Sequence, residues 1–159
     1  MTKDLSHVGP DGRARMVDVS TKPATVRTAR ATGCIRMLPA TLEAIQTNAV
    51  SKGDVLGVAR IAGVMAAKRT AELVPLCHPL PLDDVQVALS ADPALPGIRA
   101  EATTRTSGRT GVEMEAIVAV TLALVTVYDM AKAIDRGMTI GEVLLMEKTG
   151  GQGGGWTRG

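Results

Sequence analysis

Residues 52–82 read KGDVLGVARIAGVMAAKRTAELVPLCHPLPL, and this stretch predicts a helix followed by a proline-rich turn. Asp54 is a suitable N-cap, because its carboxylate can accept hydrogen bonds from the free amides of the first helical turn. Pro75 predicts the end of the helix, since proline fixes φ and restricts the residue before it. The apolar residues that recur at helical spacing are predicted to form the buried stripe of this helix: Val55, Val58, Ala62 and Met65.

Small residues dominate the same helix: Gly57, Ala59, Ala62, Gly63, Ala66 and Ala67. Glycine lowers helix propensity, but small side chains let a neighbouring element approach closely, so we expect tight packing on this helix. Lys68 lies in its last turns, where the helix dipole favours a positive charge. Leu76, Cys77 and His78 follow Pro75 and are predicted to lie in a turn, whose flanking prolines lower the entropy cost of holding one shape.

The composition of the 159-residue chain is typical of one folded domain with a core of small aliphatic side chains. Hydrophobic residues make up 45% of the sequence, Phe is absent, and there is one Trp and one Tyr. Small side chains bury less apolar area each, at about 25 cal/mol per Å². The sequence therefore favours a subunit that gains further stability from contacts in an oligomer.

The charge and the cysteine content argue against several classes of protein. A formal net charge of +2 and the near absence of aromatic residues do not fit a nucleic-acid-binding surface. The two cysteines, Cys34 and Cys77, occur without a signal peptide, which is typical of a reducing compartment, so we expect a cytoplasmic protein. The longest apolar run, residues 116–128, is shorter than the roughly 20 residues of a membrane span, so we expect no membrane association.

The rest of the chain predicts a single domain that spans residues 15–150. Residues 1–14, which include His7, lack periodicity and are expected to form a flexible N-terminal arm. Residues 151–159 are rich in glycine, which loses the most freedom on folding, and are expected to form a disordered tail. Strands are predicted at residues 16–20, 26–37, 85–89, 98–106 and 140–148, and further helices at residues 39–50 and 112–136.

The order of these elements indicates an α+β fold with a layer of helices on a sheet. The strands at residues 85–89 and 98–106 are joined by a loop with proline and glycine, which predicts an antiparallel pair. The long helices each have an apolar face that can cover one side of the sheet. The other side is then either polar or in contact with another subunit.

The candidate functional residues are ionisable side chains that helix amphipathicity does not explain: Lys52, Lys68, His78, Glu113, Glu115, Asp129 and Lys132. Asp129 and Lys132 are three residues apart on a helix and are therefore neighbours on its surface. They form either an exposed ion pair or, because they follow an apolar run, a part-buried pair with a functional role. Glu113 and Glu115 lie in the first turn of the same helix, where the dipole favours negative charge, so structural and functional roles both remain open.

Cys77 and His78 are adjacent, and no second Cys or His group completes a tetrahedral set, so the sequence predicts no zinc site. Cys77 is predicted to be a buried structural cysteine rather than a nucleophile. His78 lies in a turn held by prolines and is the better candidate for ligand binding or proton transfer, which are common roles of histidine. The arginines of the predicted strand at residues 26–37 form either a solvated face or a phosphate site.

The spacing of Glu115 and Asp129 limits how a site can be built. In one continuous helix these residues are fourteen positions apart, or about 21 Å at 1.5 Å per residue. One small substrate cannot contact both within one chain. If both residues are functional, a second chain must complete the site. One form of this hypothesis places Lys52 and Asp129 in complementary halves of the site, with Lys52 and Lys132 contributed by different chains.

Four segments form a specific combination: MVDVSTKPATVRTARA (16–31), KGDVLGVARIAGVMAAKRTAELVPLCHPL (52–80), TGVEMEA (110–116) and VYDMAKA (127–133). Together they resemble the cyclic pyranopterin monophosphate synthase family, the C-protein family of molybdenum cofactor biosynthesis. The segments occur in the family's order, and the resemblance spans residues 16–151. The combination of LCHPL, TGVEMEA and YDMAKA is highly specific for this family.

The resemblance implies a lyase that converts 3′,8-cyclo-7,8-dihydro-GTP to cyclic pyranopterin monophosphate, a precursor of molybdopterin, with loss of pyrophosphate. A radical-SAM enzyme supplies the substrate. The implied fold is a ferredoxin-like antiparallel sheet with long helices on one face. The implied assembly is a homohexamer, a trimer of dimers, with sites at subunit interfaces. No protein-bound cofactor or metal is implied, although a triphosphate substrate can bring Mg²⁺ with it.

The resemblance also gives roles to individual residues by motif. Asp129, Lys52 and Lys132 are the implied catalytic residues, with the two lysines as acid and base. Leu76, Cys77, His78, Met114 and Glu115 match the family's substrate-binding segments. We add Glu113 for its place beside that segment, and Lys68 because a cation can stabilise charge on the leaving pyrophosphate.

Two other functions compete with this enzyme. The chain could be a non-catalytic module that binds a nucleotide or a pterin, in which the lysines only contact phosphate. Alternatively, the small-residue helices could serve merely as an oligomer interface. The first alternative predicts binding without turnover, and the second predicts that Lys52→Ala and Lys132→Ala leave any activity intact.

Overall fold

A computed structural model describes residues 12–159 of the chain. The predicted arm at residues 1–14 lies largely outside this range, as does His7. The strands and helices follow in the order β1 (Thr25–Arg36), α1 (Pro39–Gln46), α2 (Val55–Lys68), α3 (Thr70–Leu73), β2 (Asp84–Asp92), β3 (Gly97–Gly108), α4 (Glu113–Ala131), β4 (Thr139–Thr149) and β5 (Trp156–Thr157).

The five strands form one antiparallel sheet in the order β2-β3-β1-β4-β5. β1 is central and pairs along its whole length with β3, from Thr25 opposite Gly108 to Arg36 opposite Gly97. With α2 and α4 as the two crossing helices, β1 to β4 follow the βαββαβ connectivity of ferredoxin-like folds. The α+β, ferredoxin-like prediction is therefore confirmed.

α2 and α4 lie side by side and cover one face of the sheet. Their contact depends on small residues, since a Cβ added at Gly63 would lie 2.9 Å from the carbonyl oxygen of Ala119. Ala59 and Ala123 are fully buried in the same layer. The tight packing that the glycines and alanines of α2 predicted is therefore present.

The predicted buried stripe of α2 was wrong in part. Val55 is buried, but Val58 and Met65 are 45% and 50% exposed, because α2 turns its small residues and not its larger ones towards α4. The larger apolar side chains form an exposed patch on the outside of the helix layer, which we call the helix stripe: Val58, Ile61, Met65 and Val125. The predicted single helix is also interrupted, since α2 ends at Lys68 and a short α3 follows after Arg69.

Other helices and strands begin or end at different residues from those predicted. α4 ends at Ala131 and not near residue 136, and no strand forms at residues 16–20. The tail, expected to be disordered, turns back through glycines with positive φ, and its β5 strand pairs with the end of β4. The predicted strands at residues 26–37, 85–89, 98–106 and 140–148 correspond to β1, β2, β3 and β4.

Asp135 fixes the start of α1 from a distant part of the chain. Only 6% of this residue is exposed, and its carboxylate accepts hydrogen bonds from the backbone amides of Leu38 and Gly137 at 2.9 Å each. No side chain of the local sequence caps α1. The carboxylate thus links the helix start to the turn after α4, which holds the end of α4 in place.

α4 is the core helix of the domain. Within residues 12–159 it alone is long and apolar enough to cross a membrane by length and composition. However, its side chains pack against α2 and the sheet, and Val120, Leu124 and Val127 are fully buried. Burial against α2 and the sheet explains most of the apolar run, whereas Val125 on the outer face of α4 is 44% exposed.

Candidate active site

The first group of predicted residues lies at the C-terminal end of α4, and we call it the lysine cluster: Lys52, Asp129 and Lys132. Lys52 comes from the loop before α2 and donates to Oδ2 of Asp129 at 2.8 Å and to its backbone oxygen at 3.0 Å. Lys132 donates to Oδ1 of the same carboxylate at 2.7 Å. Hydrogen bonds from Lys132 and Lys52 lower the pKa of Asp129 to about 2, so the carboxylate is ionised at neutral pH.

The lysine cluster corrects the prediction that its members belong to different chains. All three side chains meet within one chain, because the antiparallel packing of α2 on α4 brings the start of one helix to the end of the other. About half of each side chain is exposed. Of the two alternatives that the sequence left open for Asp129 and Lys132, the single chain has the exposed ion pair.

A second group of predicted residues lies at the opposite end of α4, around a cavity of about 490 Å³ that we call the His78 cavity. Its lining includes predicted residues from the proline-rich turn and from the first turn of α4: Leu76, Cys77, His78, Glu113 and Met114. The His78 ring is held by a 2.8 Å hydrogen bond between Nε2 and the backbone oxygen of Val17. The turn therefore presents its side chains to the N-terminal end of α4.

Glu115 lies behind this cavity and not in its lining. It is 2% exposed, and the Cys77 thiol donates to its Oε1 atom at 3.9 Å, while Oε2 has no hydrogen-bond partner among residues 12–159. Burial, assisted by the charge of Glu113, raises the pKa of Glu115. Burial, together with the charge of Glu115, raises the pKa of the Cys77 thiol, which fits a structural cysteine better than a nucleophile.

A third group was missed by sequence reasoning. Four cationic side chains from separate segments line a cavity of about 250 Å³, which we call the basic cavity: Lys22, Arg27, Arg109 and Lys148. Arg27 is held in place because its guanidinium donates to the backbone oxygens of Gly108 and Arg109. Arg27 was one of the strand arginines considered for phosphate binding, but nothing in the sequence spacing indicated that the other three would join it.

Lys68 is separated from the other candidates. It is exposed at the last turn of α2 and lies outside both cavities. Within residues 12–159, no group of three His, Cys, Asp or Glu side chains is arranged to hold a metal ion. A concavity on the open face of the sheet is lined by Arg99, Glu101 and Glu142, and it lies on the side of the sheet away from the helices.

The two predicted groups are joined by one rigid element. α4 is continuous from Glu113 to Ala131, so Glu115 and Asp129 are separated by about 21 Å along its axis. The helix is therefore continuous between Glu115 and Asp129, which was the condition for expecting a second chain to complete the site. Neither group can reach the ligand of the other within one chain.

Comparison with known proteins places the chain in a family. The sequence model of the MoaC family matches residues 16–151. The chain belongs to the MoaC family. This match includes the lysine cluster, the residues of the His78 cavity and all four cations of the basic cavity, from Lys22 to Lys148.

Similar members of the MoaC family cover nearly the whole chain. A protein of Cereibacter sphaeroides is 55% identical over 150 residues, which are 94% of each chain. A protein of Nostoc sp. is 56% identical over 151 residues, 95% of this chain and 90% of the relative. A protein of Methylobacterium nodulans is 59% identical over 150 residues, 94% of each chain. All three relatives are named cyclic pyranopterin monophosphate synthase.

Proposed function

We infer that this chain is a cyclic pyranopterin monophosphate synthase, a lyase of molybdenum cofactor biosynthesis. The observation that carries this inference is the near full-length match to relatives of that name at 55–59% identity. The reaction is the conversion of 3′,8-cyclo-7,8-dihydro-GTP, supplied by a radical-SAM enzyme in the cytoplasm, to cyclic pyranopterin monophosphate and pyrophosphate.

The three groups of residues suit three parts of this reaction. The His78 cavity, with apolar walls and one carboxylate, suits the ring system of the substrate. The basic cavity suits the triphosphate, because four cations can neutralise its charge and that of the leaving pyrophosphate. The lysine cluster suits proton transfer, with Lys52 and Lys132 as acid and base.

Proton transfer and bond formation are linked at the sugar. A hydroxyl of the sugar loses its proton to a lysine amine and attacks the α-phosphate. The bond between the α-phosphorus and the bridging oxygen breaks, and pyrophosphate leaves with that oxygen. Hydrogen bonds from Lys132 and Lys52 lower the pKa of Asp129 to about 2 in the free chain, so we assign this carboxylate the role of holding the two lysine side chains in register with the substrate.

The separation of the groups favours a site built from two copies of the chain. Met114 and Asp129 lie on the same outward face of α4, and Val125 of the helix stripe lies between them. A twofold axis that passes through the helix stripe at right angles to α4 sets α4 antiparallel to its mate. The lysine cluster of one copy then lies beside the His78 cavity and the acidic Glu113 of the other. A homohexamer built as a trimer of dimers, which the resemblance implies, would supply such pairs.

Mg²⁺ has a place in this scheme as a companion of the substrate. Triphosphates commonly bind Mg²⁺ through their own oxygens with few protein ligands. We therefore expect a chelator to weaken the binding of the triphosphate substrate and to leave the binding of guanosine unchanged.

A turnover assay tests the proposed function. Purified protein is incubated with 3′,8-cyclo-7,8-dihydro-GTP, and pyrophosphate and the pterin product are quantified together. We expect equal amounts of both, and loss of both in Lys52→Ala and Lys132→Ala. Substrate binding without turnover would support the non-catalytic binding module instead, and full activity of both lysine variants would support a purely structural role for the helices.

A further inference from the structure

Glu113 is the one acidic side chain shared by the His78 cavity and the basic cavity within residues 12–159. Its Oε1 atom accepts a hydrogen bond from Nζ of Lys148 at 2.8 Å. The side chains of Lys148 and Glu113 are 43% and 24% exposed, so both can be reached by a ligand. The ion pair therefore joins the two cavities.

Gly111 creates the space in which the Glu113 carboxylate lies. A Cβ atom at Gly111 would collide with Oε2 of Glu113. The glycine lines both cavities as well, so the carboxylate lies at the boundary that the two cavities share.

We propose that Glu113 couples the two cavities: phosphate binding to Lys148 releases the Glu113 carboxylate, which then recognises the N–H edge of a guanine-type ring in the His78 cavity. This proposal rests on the proposed function, and it assigns the ring-recognising group and the order in which the two parts of the substrate are held. Lys148 pairs with Glu113 in the free protein and with phosphate in the complex.

The chemistry of both partners fits this exchange. A guanine-type ring presents a ring N–H and an exocyclic amino group side by side, and a carboxylate can accept a hydrogen bond from each. A carboxylate that already accepts from Lys148 is a weaker acceptor for that edge. Pyrophosphate carries more negative charge than one carboxylate, so it competes well for the lysine. A ligand that binds in one cavity should therefore increase the affinity of the other cavity for its own ligand.

The experiment measures linkage between two probes on the full chain by isothermal titration calorimetry. Guanosine reports on the His78 cavity, and inorganic pyrophosphate reports on the basic cavity. We expect saturating pyrophosphate to tighten guanosine binding by about fivefold or more, in the usual range of coupling between sites. By reciprocity, guanosine should tighten pyrophosphate binding by the same factor.

Three variants separate coupling from simple loss of a contact. In Glu113→Gln the linkage should disappear, and pyrophosphate should bind at least as tightly as to the wild type because Lys148 no longer has a competing partner. Lys148→Met should also abolish the linkage while guanosine still binds. Gly111→Ala, which displaces the carboxylate and keeps both charges, should reduce the linkage. Circular dichroism confirms that each variant is folded.

The possible results distinguish this proposal from the proposed function. If both probes bind and the linkage is absent in the wild type or unchanged in Glu113→Gln, the coupling role of Glu113 is overturned and the proposed function stands. If neither probe binds the wild-type protein, the assignment of both cavities is wrong and the proposed function loses its structural support.

Discussion

Lys52 Nζ lies 2.8 Å from Oδ2 of Asp129, and both residues belong to the same chain. This contact decides which pairs of inactive variants can restore a shared site. Lys52→Ala and Asp129→Ala damage the same half of the site. Every dimer formed from a mixture of the two therefore has a damaged lysine cluster in both of its sites, and we expect no recovery of activity.

A pair of variants from opposite ends of α4 should behave differently. We expect a mixture of Lys52→Ala and His78→Ala to recover activity after subunit exchange. In an equal random mixture, half of the dimers are mixed, and one of the two sites in each is intact, so about a quarter of wild-type activity should return. The pyrophosphate-release assay measures it, and mass spectrometry confirms exchange. Complete exchange without recovery would contradict a site shared between chains.

The charge of Asp129 gives a prediction for pH dependence. Hydrogen bonds from Lys132 and Lys52 lower its pKa from 3.8 to about 2 in the folded state. A lowered carboxyl pKa stabilises the fold above the unfolded value and loses this effect as the pH falls through the folded value. Any stabilisation from Asp129 should therefore disappear between about pH 4 and pH 2, and Asp129 should not titrate in the range where the enzyme works.

The corresponding experiment compares Asp129→Asn with the wild type. We expect kcat/KM to fall at every pH above about 4 without a shift of the acid limb, because the residue does not change charge there. Asp129→Glu keeps the charge and serves as the control for its removal. An acid limb that vanishes in Asp129→Asn would show that this carboxylate does titrate during the reaction.

The fold was largely predictable because hydrophobic periodicity and turn chemistry are local signals. The alternation at residues 85–89 and 98–106 identified β2 and β3, and the Asp54 carboxylate does accept from the amide of Gly57. The buried side of α2 was not predictable in the same way. Glycine and alanine contribute little to an apolar stripe, yet they face α4 because a close contact between backbones excludes larger side chains.

The candidate site was predictable where one segment carries several functional groups and less so where distant segments meet. His78 and Glu113 were candidates from their own sequence, whereas Leu76, Cys77 and Met114 were assigned through the family resemblance. All five line one cavity. The contact between Lys52 and Asp129 arises from the antiparallel packing of two helices, which no local pattern contains. The basic cavity combines residues 22, 27, 109 and 148, so only the pairing of β1 with its neighbours brings them together.

Burial of Glu115 predicts an unusual dependence of stability on pH. Burial raises its pKa above the ordinary value of 4.5. The folded state then keeps a proton that the unfolded chain has lost, so the free energy of unfolding falls as the pH rises from about 4.5 through the folded pKa. Glu115→Gln cannot ionise, and we expect it to lose this part of the pH dependence and to be more stable than the wild type above that range.

Urea unfolding at a series of pH values measures this effect at one protein concentration. Glu43→Gln removes an exposed carboxylate and controls for the loss of one negative charge. Parallel pH profiles of Glu115→Gln and the wild type would mean that Glu115 has the same affinity for protons in the folded and unfolded chains.

The helix stripe predicts where two copies meet. Ile61 is 62% exposed at the centre of α2, and a charge there would have to be buried in the proposed interface without a partner. Ile61→Glu should therefore yield smaller assemblies in analytical ultracentrifugation and lose activity, with the helical circular dichroism signal preserved. Val26→Glu places the same charge at an exposed apolar residue of β1 and should change neither property. An unchanged assembly in Ile61→Glu would exclude this face as the contact.

Gly63 provides a case in which helix propensity and packing predict opposite effects. Glycine to alanine inside a helix gains about 1 kcal/mol of propensity. At this position the new Cβ would lie 2.9 Å from the backbone oxygen of Ala119 and 3.3 Å from Cβ of Ala123, and overpacking of this kind costs about 1–3 kcal/mol. Because a backbone oxygen cannot move aside as a flexible side chain can, we expect Gly63→Ala to destabilise the protein.

Denaturant unfolding at fixed protein concentration measures the net effect, since an oligomer's stability depends on concentration. Arg60→Gly, at an exposed position of the same helix, measures the cost of glycine without a packing change, which we expect to be about 1 kcal/mol. A Gly63→Ala protein that is stabilised by a similar amount would mean that α2 and α4 can separate by a few tenths of an ångström at no cost. In that case the small residues of α2 would serve a purpose other than close packing.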